Sequence, residues 1–492
     1  MIDYLRKNPV CKSIIWLGLA AIIFSPLYMS SHLFFPYIVT KTIAFNIAAE
    51  IMFLAFLVLS WRNSDYKIRL NLPIVLFLAY LGLTLASSLL GDNFSRSFWS
   101  NNERSEGIVL LIHLFLFLVV LVGFFRKIKE WFLVLDLSFF ASLAVSLIAL
   151  GQFLKIDWLF SSSGGDRLAG TIGNAAYMAG YLIFSVFFGL ILLFKRKNNY
   201  LKPYYLAVIA LEVFIVIFTS TRGAWLALLL GGSLFLFYLL FLYFKSKVLK
   251  ILGVALVLSA IVFFSLVFIN KGSDFVKHNR VLSRVISISF KDNSTQNRLM
   301  TWQSSLQGFK ERPILGWGYE NFYQPFDKYF NPKIYRRSGS VVWFDRAHNI
   351  IFDRLVTGGI LGLLVYLSFL FLPFYFLWRH YLKNKEEDGS RKKYLLPVIL
   401  SLVISAYFIQ NLFIFEALVI YIPLFLTLAL VGSFGPHYDF KFLENKKFKI
   451  ATLIVYLPLF LLMLYFVNYK PVKANMTLTR ALSDDTLTMQ QR

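Results

Sequence analysis

"WFDRAHNIIFDRLVTGGILGLLVYL", residues 343–367, places Asp345, Arg346, His348, Asp353 and Arg354 at the mouth of a long apolar run. Charge is costly in hydrocarbon, so ionisable groups at the start of a membrane helix signal function or pairing. Asp345, Asn349 and Asp353 recur at i, i+4 and i+8, one stripe of a helix begun this early, and Arg346 and Arg354 form a second. The "GGILG" that follows offers small residues against which another helix can pack closely.

Outward from this stretch the chain has the same character. Of 492 residues 58% are hydrophobic, 18% aromatic and only 15% charged. Runs of about 20 apolar residues, the length that crosses a bilayer core, recur throughout. Thirteen stretches read as spans, near 14–35, 43–61, 70–90, 107–125, 131–154, 175–194, 204–219, 223–244, 248–269, 350–378, 394–413, 416–433 and 450–468. The expected fold is an all-α polytopic membrane protein of about 12–13 transmembrane helices. Cys11 is the only cysteine, which excludes an intramolecular disulfide and a cysteine-based metal site.

The net charge of +24 would suggest nucleic acid in a soluble protein. Here no basic region stands apart from the spans, and lysine and arginine belong in the cytoplasmic connections. With a cytoplasmic N-terminus, 26 Lys/Arg fall on the inner connections against 6 on the short outer ones. That orientation gives helices 1–9 within residues 1–269, an extracytoplasmic loop over 270–347, helices 10–13 within 348–468, and an external tail over 469–492.

The outer loop carries thirteen Lys/Arg and six Asp/Glu. In "STQNRLMTWQSSLQGF" the spacing of Leu299, Trp302, Leu306 and Phe309 predicts an amphipathic helix, and "PILGWGYENF" predicts a turn. Arginines gather on this side: Arg104, Arg167, Arg222, Arg298, Arg346 and Arg354, with Asn174 and His348 among them. Arg222 precedes a span, with Ser220 and Thr221 as candidate N-caps, so a guanidinium and a helix N-terminus would meet as an anion site. The alternative is an arginine snorkelling to lipid phosphates. Several guanidiniums in one pocket suit a dianionic ligand, because each can grip phosphate oxygens bidentately. No Asp-x-Asp or clustered His/Cys/Glu accompanies them, so neither a metal nor a cofactor is expected. Asp353 and Arg354 are readable as diphosphate contacts or as a pair that holds the helix of His348.

"TSTRGAWLALLLG", "NRLMTWQSSLQGFKERPILGWGYENF" and "AHNIIFDRLVTGGILGLLVYL" together resemble the O-antigen ligase and polymerase superfamily, with "WSNNERSEGIVLL" and "DRLAGTIGNAAYMAGYL" similar to its upstream patterns. The resemblance implies a membrane glycosyltransferase of GT-C-type architecture in the bacterial cytoplasmic membrane, with its site on the outer, periplasmic face. It implies metal-independent transfer of a glycan from undecaprenyl diphosphate to an acceptor hydroxyl on lipid A–core, a growing polysaccharide or a protein Ser/Thr. Catalytic roles would fall to Arg222, Arg298 and His348, and substrate contacts to Arg104, Arg167, Arg346, Asp353, Arg354 and Asn174. The extra C-terminal span and "PVKANMTLTRAL" are readable as the stub of an outer helical-repeat domain. A transporter or flippase of lipid-linked glycans is the competing reading, opposed by polar residues lying at the outer rim and by the lack of an inverted repeat.

Overall fold

A computed structural model describes residues 9–63, 65–101, 103–156, 167–244, 246–279, 282–283, 286, 292–335, 343–383, 391–438 and 445–483. The described chain is almost entirely helical, with one two-residue antiparallel pairing of Leu70–Asn71 with His437–Tyr438. The principal helices are α1 (Pro9–Phe24), α2 (Val39–Arg62), α3 (Leu72–Leu89), α4 (Ile108–Phe124), α5 (Ile128–Phe153), α6 (Ala175–Lys195) and α7 (Lys202–Phe218). They continue with α8 (Arg222–Phe237), α9 (Lys247–Ile269), α10 (Asn293–Glu311), α11 (Ile350–Lys383), α12 (Leu395–Asn411), α13 (Leu418–Gly432), α14 (Lys446–Met463) and α15 (Lys470–Ser483). Among the described residues ten helical stretches are long and apolar enough to cross a membrane, and α4 and α13 are shorter apolar helices. The chain is an all-α polytopic membrane protein.

Helices α6 and α13 form the centre, α13 being buried along its whole length and α6 along nearly all of it. Around α6 pack α5, α7, α8, α12 and α13. Close approach depends on small residues, as lipid gives helices no hydrophobic drive to associate. At Gly180 a Cβ would lie 2.7 Å from Ile420 of α13.

The polar groups are not confined to the rim, contrary to the argument made from sequence against transport. Within the bundle Glu50 is held by His113 at 2.8 Å and by Asn468 at 2.9 Å. Glu212 accepts from Ser142 at 2.6 Å and from Ser185 at 2.7 Å. Both carboxyls are packed between helices with hydrogen-bond partners, which is how buried polar groups persist in hydrocarbon.

The C-terminal helix does not end near 468. A π-helical turn, Leu464–Tyr469, joins α14 directly to α15. Three bonds to α2 dock this long helix: Lys449 to the Ser60 carbonyl, Tyr456 to the Glu50 carbonyl, and Asn468 to the Glu50 carboxylate.

Helix α11 is the second departure. Gly359 has φ 62° and ψ −167°, so the helix turns a corner there. The "PILGWG" segment occupies the corner and satisfies both freed ends. Trp317 and Gly318 donate to the carbonyls of Val356 and Thr357, and Ile360 and Leu361 donate to those of Pro313 and Ile314. Ser87 of α3 bonds the carbonyls of both Leu315 and Thr357. A Cβ on Gly359 would lie 2.2 Å from the Ile314 carbonyl oxygen, so the "GGILG" small residues admit a loop and not a helix.

The loop helix α10 turns a face other than the expected one inward. Asn297, Met300, Thr301, Ser304, Ser305 and Gly308 are buried, and Leu306 is exposed. Its neighbours explain this: Ser304 donates to the Tyr329 carbonyl at 2.8 Å, and Gly308 lies against Pro325 and the Trp317 indole. The loop also has its own small core of Met300, Trp317, Phe322, Phe326, Ile334, Phe344, Ala347 and Val356.

Candidate functional site

Helices α2, α4, α6, α8, α11 and α13 begin at one end of the bundle, where residues 292–335 and 343–349 cover them. Arg222 opens α8 at this end. Thr221 occupies the N-cap position but makes no side-chain cap bond, and Ser220 adopts φ 53°. Neither residue therefore caps α8 with its side chain as expected from sequence. The Thr221 hydroxyl is instead a partner of Arg167, whose Nε also donates to the Thr219 carbonyl, both at 2.9 Å. Arg167 braces the turn that carries Arg222.

Arg222 donates to Asp292 at 2.6 Å, and the other Asp292 oxygen caps α10 at the Thr295 amide. One carboxylate thus fixes the start of the helix that bears Arg298. Burial acts to raise the Asp292 carboxyl, but the bonds from Arg222 and Thr295 outweigh it and hold it below its ordinary value. Among the described residues the Arg298 guanidinium makes no hydrogen bond or ion pair. Burial, and then the neighbouring Arg222 charge, push its pKa down.

His348 lies just before α11 at φ 53°, so the stripe drawn from Asp345 through Asn349 is not helical. Asn349 caps the helix, accepting from the Ile351 amide at 2.9 Å. The imidazole stands edge-on to Phe344 and Phe415, with Nδ1 3.2 Å from the Arg346 carbonyl. Burial and then the Arg298 charge push its pKa down to about 4. It is a neutral imidazole, and an Nδ1–H directed at that carbonyl leaves Nε2 with the lone pair. Trp302 of α10 donates to the Ala347 carbonyl at 2.9 Å and stacks on Phe352, which holds this segment against the helix of Arg298.

Arg104 clasps Asp345 with Nε and Nη2, at 2.9 and 3.2 Å, and gives Nη1 to the Tyr177 hydroxyl. Its guanidinium lies over the Phe415 ring at 4.4 Å, the ring that also meets His348. Burial acts to raise the Asp345 carboxyl, but Arg104 more than offsets it. Asn174 is a helix cap, its Oδ1 accepting from the Ala176 amide at 2.8 Å.

Arg346, Asp353 and Arg354 belong to a different arrangement, sealed below the site. Arg346 binds Glu320, Glu106 at 3.1 Å and Asp353 at 3.5 Å. Arg354 binds Glu416 and, at 3.5 Å, Asp353. Glu416 also accepts from Tyr366, Tyr407 and Tyr421. Burial pushes Glu106 up to about 8 against the Arg346 charge, and raises Glu320 as well. Four carboxyls share two guanidiniums here, so the charge of these arginines is already countered within the protein. Glu106, Glu320 and Glu416 were not picked out from sequence. A lone Glu416 inside "NLFIFEALVIY" was the available signal, as an acid in an apolar run demands a partner.

The arrangement thus separates by chemistry. Arg222, Arg298 and the start of α8 offer positive charge, His348 offers a neutral nitrogen, and the deeper network holds the loop to the bundle. No curated protein matches the chain. Residues 205–367, which contain Arg222, Arg298, Arg346, His348 and Arg354, match the family model described as O-antigen ligase. Over that stretch the chain is similar to the O-antigen ligase family, and the match supports that superfamily for it.

Proposed function

We propose that this protein transfers a glycan from undecaprenyl diphosphate to an acceptor hydroxyl at the extracytoplasmic face of a bacterial cytoplasmic membrane. One observation carries the reading: Arg298 stands beside Arg222 with no carboxylate of its own, at a helix start that lacks a side-chain cap. Like charges held together await an anion, and a helix N-terminus adds to the attraction. The diphosphate of the donor lies between Arg222 and Arg298. The acceptor oxygen attacks the anomeric carbon as the bond from that carbon to the phosphate oxygen breaks. The leaving diphosphate takes the electron pair, and the two guanidiniums stabilise the charge it gains. The hydroxyl proton passes to Nε2 of His348. That nitrogen is a weak base beside an unpaired Arg298, and it strengthens once the diphosphate neutralises the arginine.

Lipid A–core sugars, a growing polysaccharide and protein Ser/Thr all present such a hydroxyl. The test supplies the purified protein with radiolabelled undecaprenyl-diphosphate glycan and each acceptor in turn. Label is expected on one acceptor class, and Arg222→Ala, Arg298→Ala and His348→Ala should each abolish it while the protein still inserts. Near-normal transfer by all three variants would overturn the assignment.

A further inference from the structure

The segment that joins α12 to α13 touches both halves of the site and the network below it. Gln410, at the end of α12, donates to the Ala176 carbonyl at 2.9 Å. A Cβ on Gly223, the neighbour of Arg222, would lie 3.1 Å from Phe413 and 3.5 Å from the Gln410 carbonyl oxygen. Glu416 is the carboxyl bound by Arg354 and three tyrosines. Phe415 is thus held from both directions along the chain, and it is buried. Its ring centre stands 4.8 Å from the His348 imidazole at an angle of 83°, and 5.7 Å from the Tyr177 ring. The Arg104 guanidinium over the same ring attracts it and opposes its turning. Among the described residues the imidazole has one hydrogen bond, from Nδ1 to the Arg346 carbonyl at 3.2 Å. A single bond leaves a ring free to swing about it, and a proton acceptor that swings loses its alignment. Packing on its flanks must therefore stop the imidazole.

We propose that Phe415 is a positioning residue for His348, holding the imidazole at one angle and keeping water from it. The inference rests on the glycan-transfer reading for what the imidazole does, whereas the clamp follows from the contacts. The charged groups that face the imidazole are Arg298 of α10, Arg104 before α4, and Asp345 of its own segment. Phe415 carries no charge, so a titration altered by its truncation reports the entry of water and not a broken ion pair. Phe344, at 5.4 Å from the imidazole, is left in place by that truncation and keeps the segment attached to the loop core.

Histidine NMR on the full chain in nanodiscs, with no donor present, follows the titration of His348. Inorganic pyrophosphate binding and transfer kinetics are measured on the same preparations. In Phe415→Ala the titration should move from about 4 toward the ordinary 6.5, while pyrophosphate binds as in the wild type. In the transfer assay kcat should fall ~10-fold or more at an unchanged donor KM, the signature of a misaligned proton acceptor. Phe415→Leu restores apolar bulk and should bring the titration and kcat most of the way back. A titration unmoved in Phe415→Ala overturns the clamp. Loss of pyrophosphate binding in that variant also overturns it, because Phe415 would then support the whole site and not the imidazole. Failure of the wild type to bind pyrophosphate would strike the diphosphate reading instead, and the titration would still decide the role of Phe415.

Discussion

Arg222 and Asp292 are joined at 2.6 Å, and through that bond the first turn of a membrane helix sets the first turn of the loop helix that carries Arg298. Asp292 has two tasks, as an N-cap for α10 and as the counter-charge for Arg222. Asn keeps the first task and drops the second. Asp292→Asn should therefore bind diphosphate more tightly, by up to ~5-fold, the ~1 kcal/mol scale of a partly exposed ion pair. Competition by inorganic pyrophosphate against labelled donor measures it. Weaker binding in this variant would mean that Asp292 helps to hold the anion.

His348 predicts a pH dependence with a definite sign. Its imidazole takes a proton near 4 when folded and near the ordinary 6.5 when unfolded. Between those values the unfolded chain holds the extra proton, so stability present above about 6.5 is lost as pH falls toward 4. Thermal unfolding midpoints at pH 7 and 4.5 should differ less in His348→Asn than in the wild type. Arg298→Gln should raise the imidazole pKa by removing a neighbouring positive charge, which histidine NMR shifts would report. An unchanged titration in that variant would separate the two residues.

Arg354 and Arg298 should respond oppositely to truncation. Arg354→Ala leaves Glu416 buried without its counter-charge and Asp353 with Arg346 alone, a loss of about 3–5 kcal/mol. Arg298→Ala removes no hydrogen bond or ion pair among the described residues and should unfold near the wild-type midpoint while losing transfer. The double change Arg354→Met with Glu416→Gln should recover part of the stability. A normally stable Arg354→Ala would contradict the sealed network.

The corner at Gly359 is sensitive to one methyl group. Its backbone conformation is open essentially to glycine alone, at a cost of ~1–3 kcal/mol for other residues, and the added Cβ would strike the Ile314 carbonyl. Gly359→Ala should lower the unfolding midpoint and speed hydrogen exchange at Trp317, Gly318, Ile360 and Leu361 together. Unaltered protection at those four amides would mean that the corner tolerates a side chain.

The apolar helices were legible because about 20 apolar residues is a local signal, and a helix lies in each of the thirteen stretches, the first ending at Leu27 and not near 35. The gathering of Arg104, Arg222, Arg298 and His348 followed from charge placement and from resemblance. What escaped depends on partners distant in sequence. Asp353 and Arg354 looked equally like ligand contacts or a structural pair until Glu320, Glu106 and Glu416 stood beside them. The i, i+4, i+8 stripe from Asp345 presumed a helix that the φ of His348 forbids. The small buried face of α10 was hidden because close packing against Pro325 and Trp317 favours Ser and Gly over Leu.

The stapled corner in α11 has a consequence for height. From Ile350 to the corner the helix rises only about 13 Å, at ~1.5 Å per residue, and the "PILGWG" segment grips both of its arms. The elevation of His348 above the span is therefore a dimension of the protein, whereas the elevation of a lipid-borne diphosphate belongs to the bilayer. Under the proposed transfer the two coincide only at one membrane thickness, so acyl-chain length becomes a ruler laid against the candidate site.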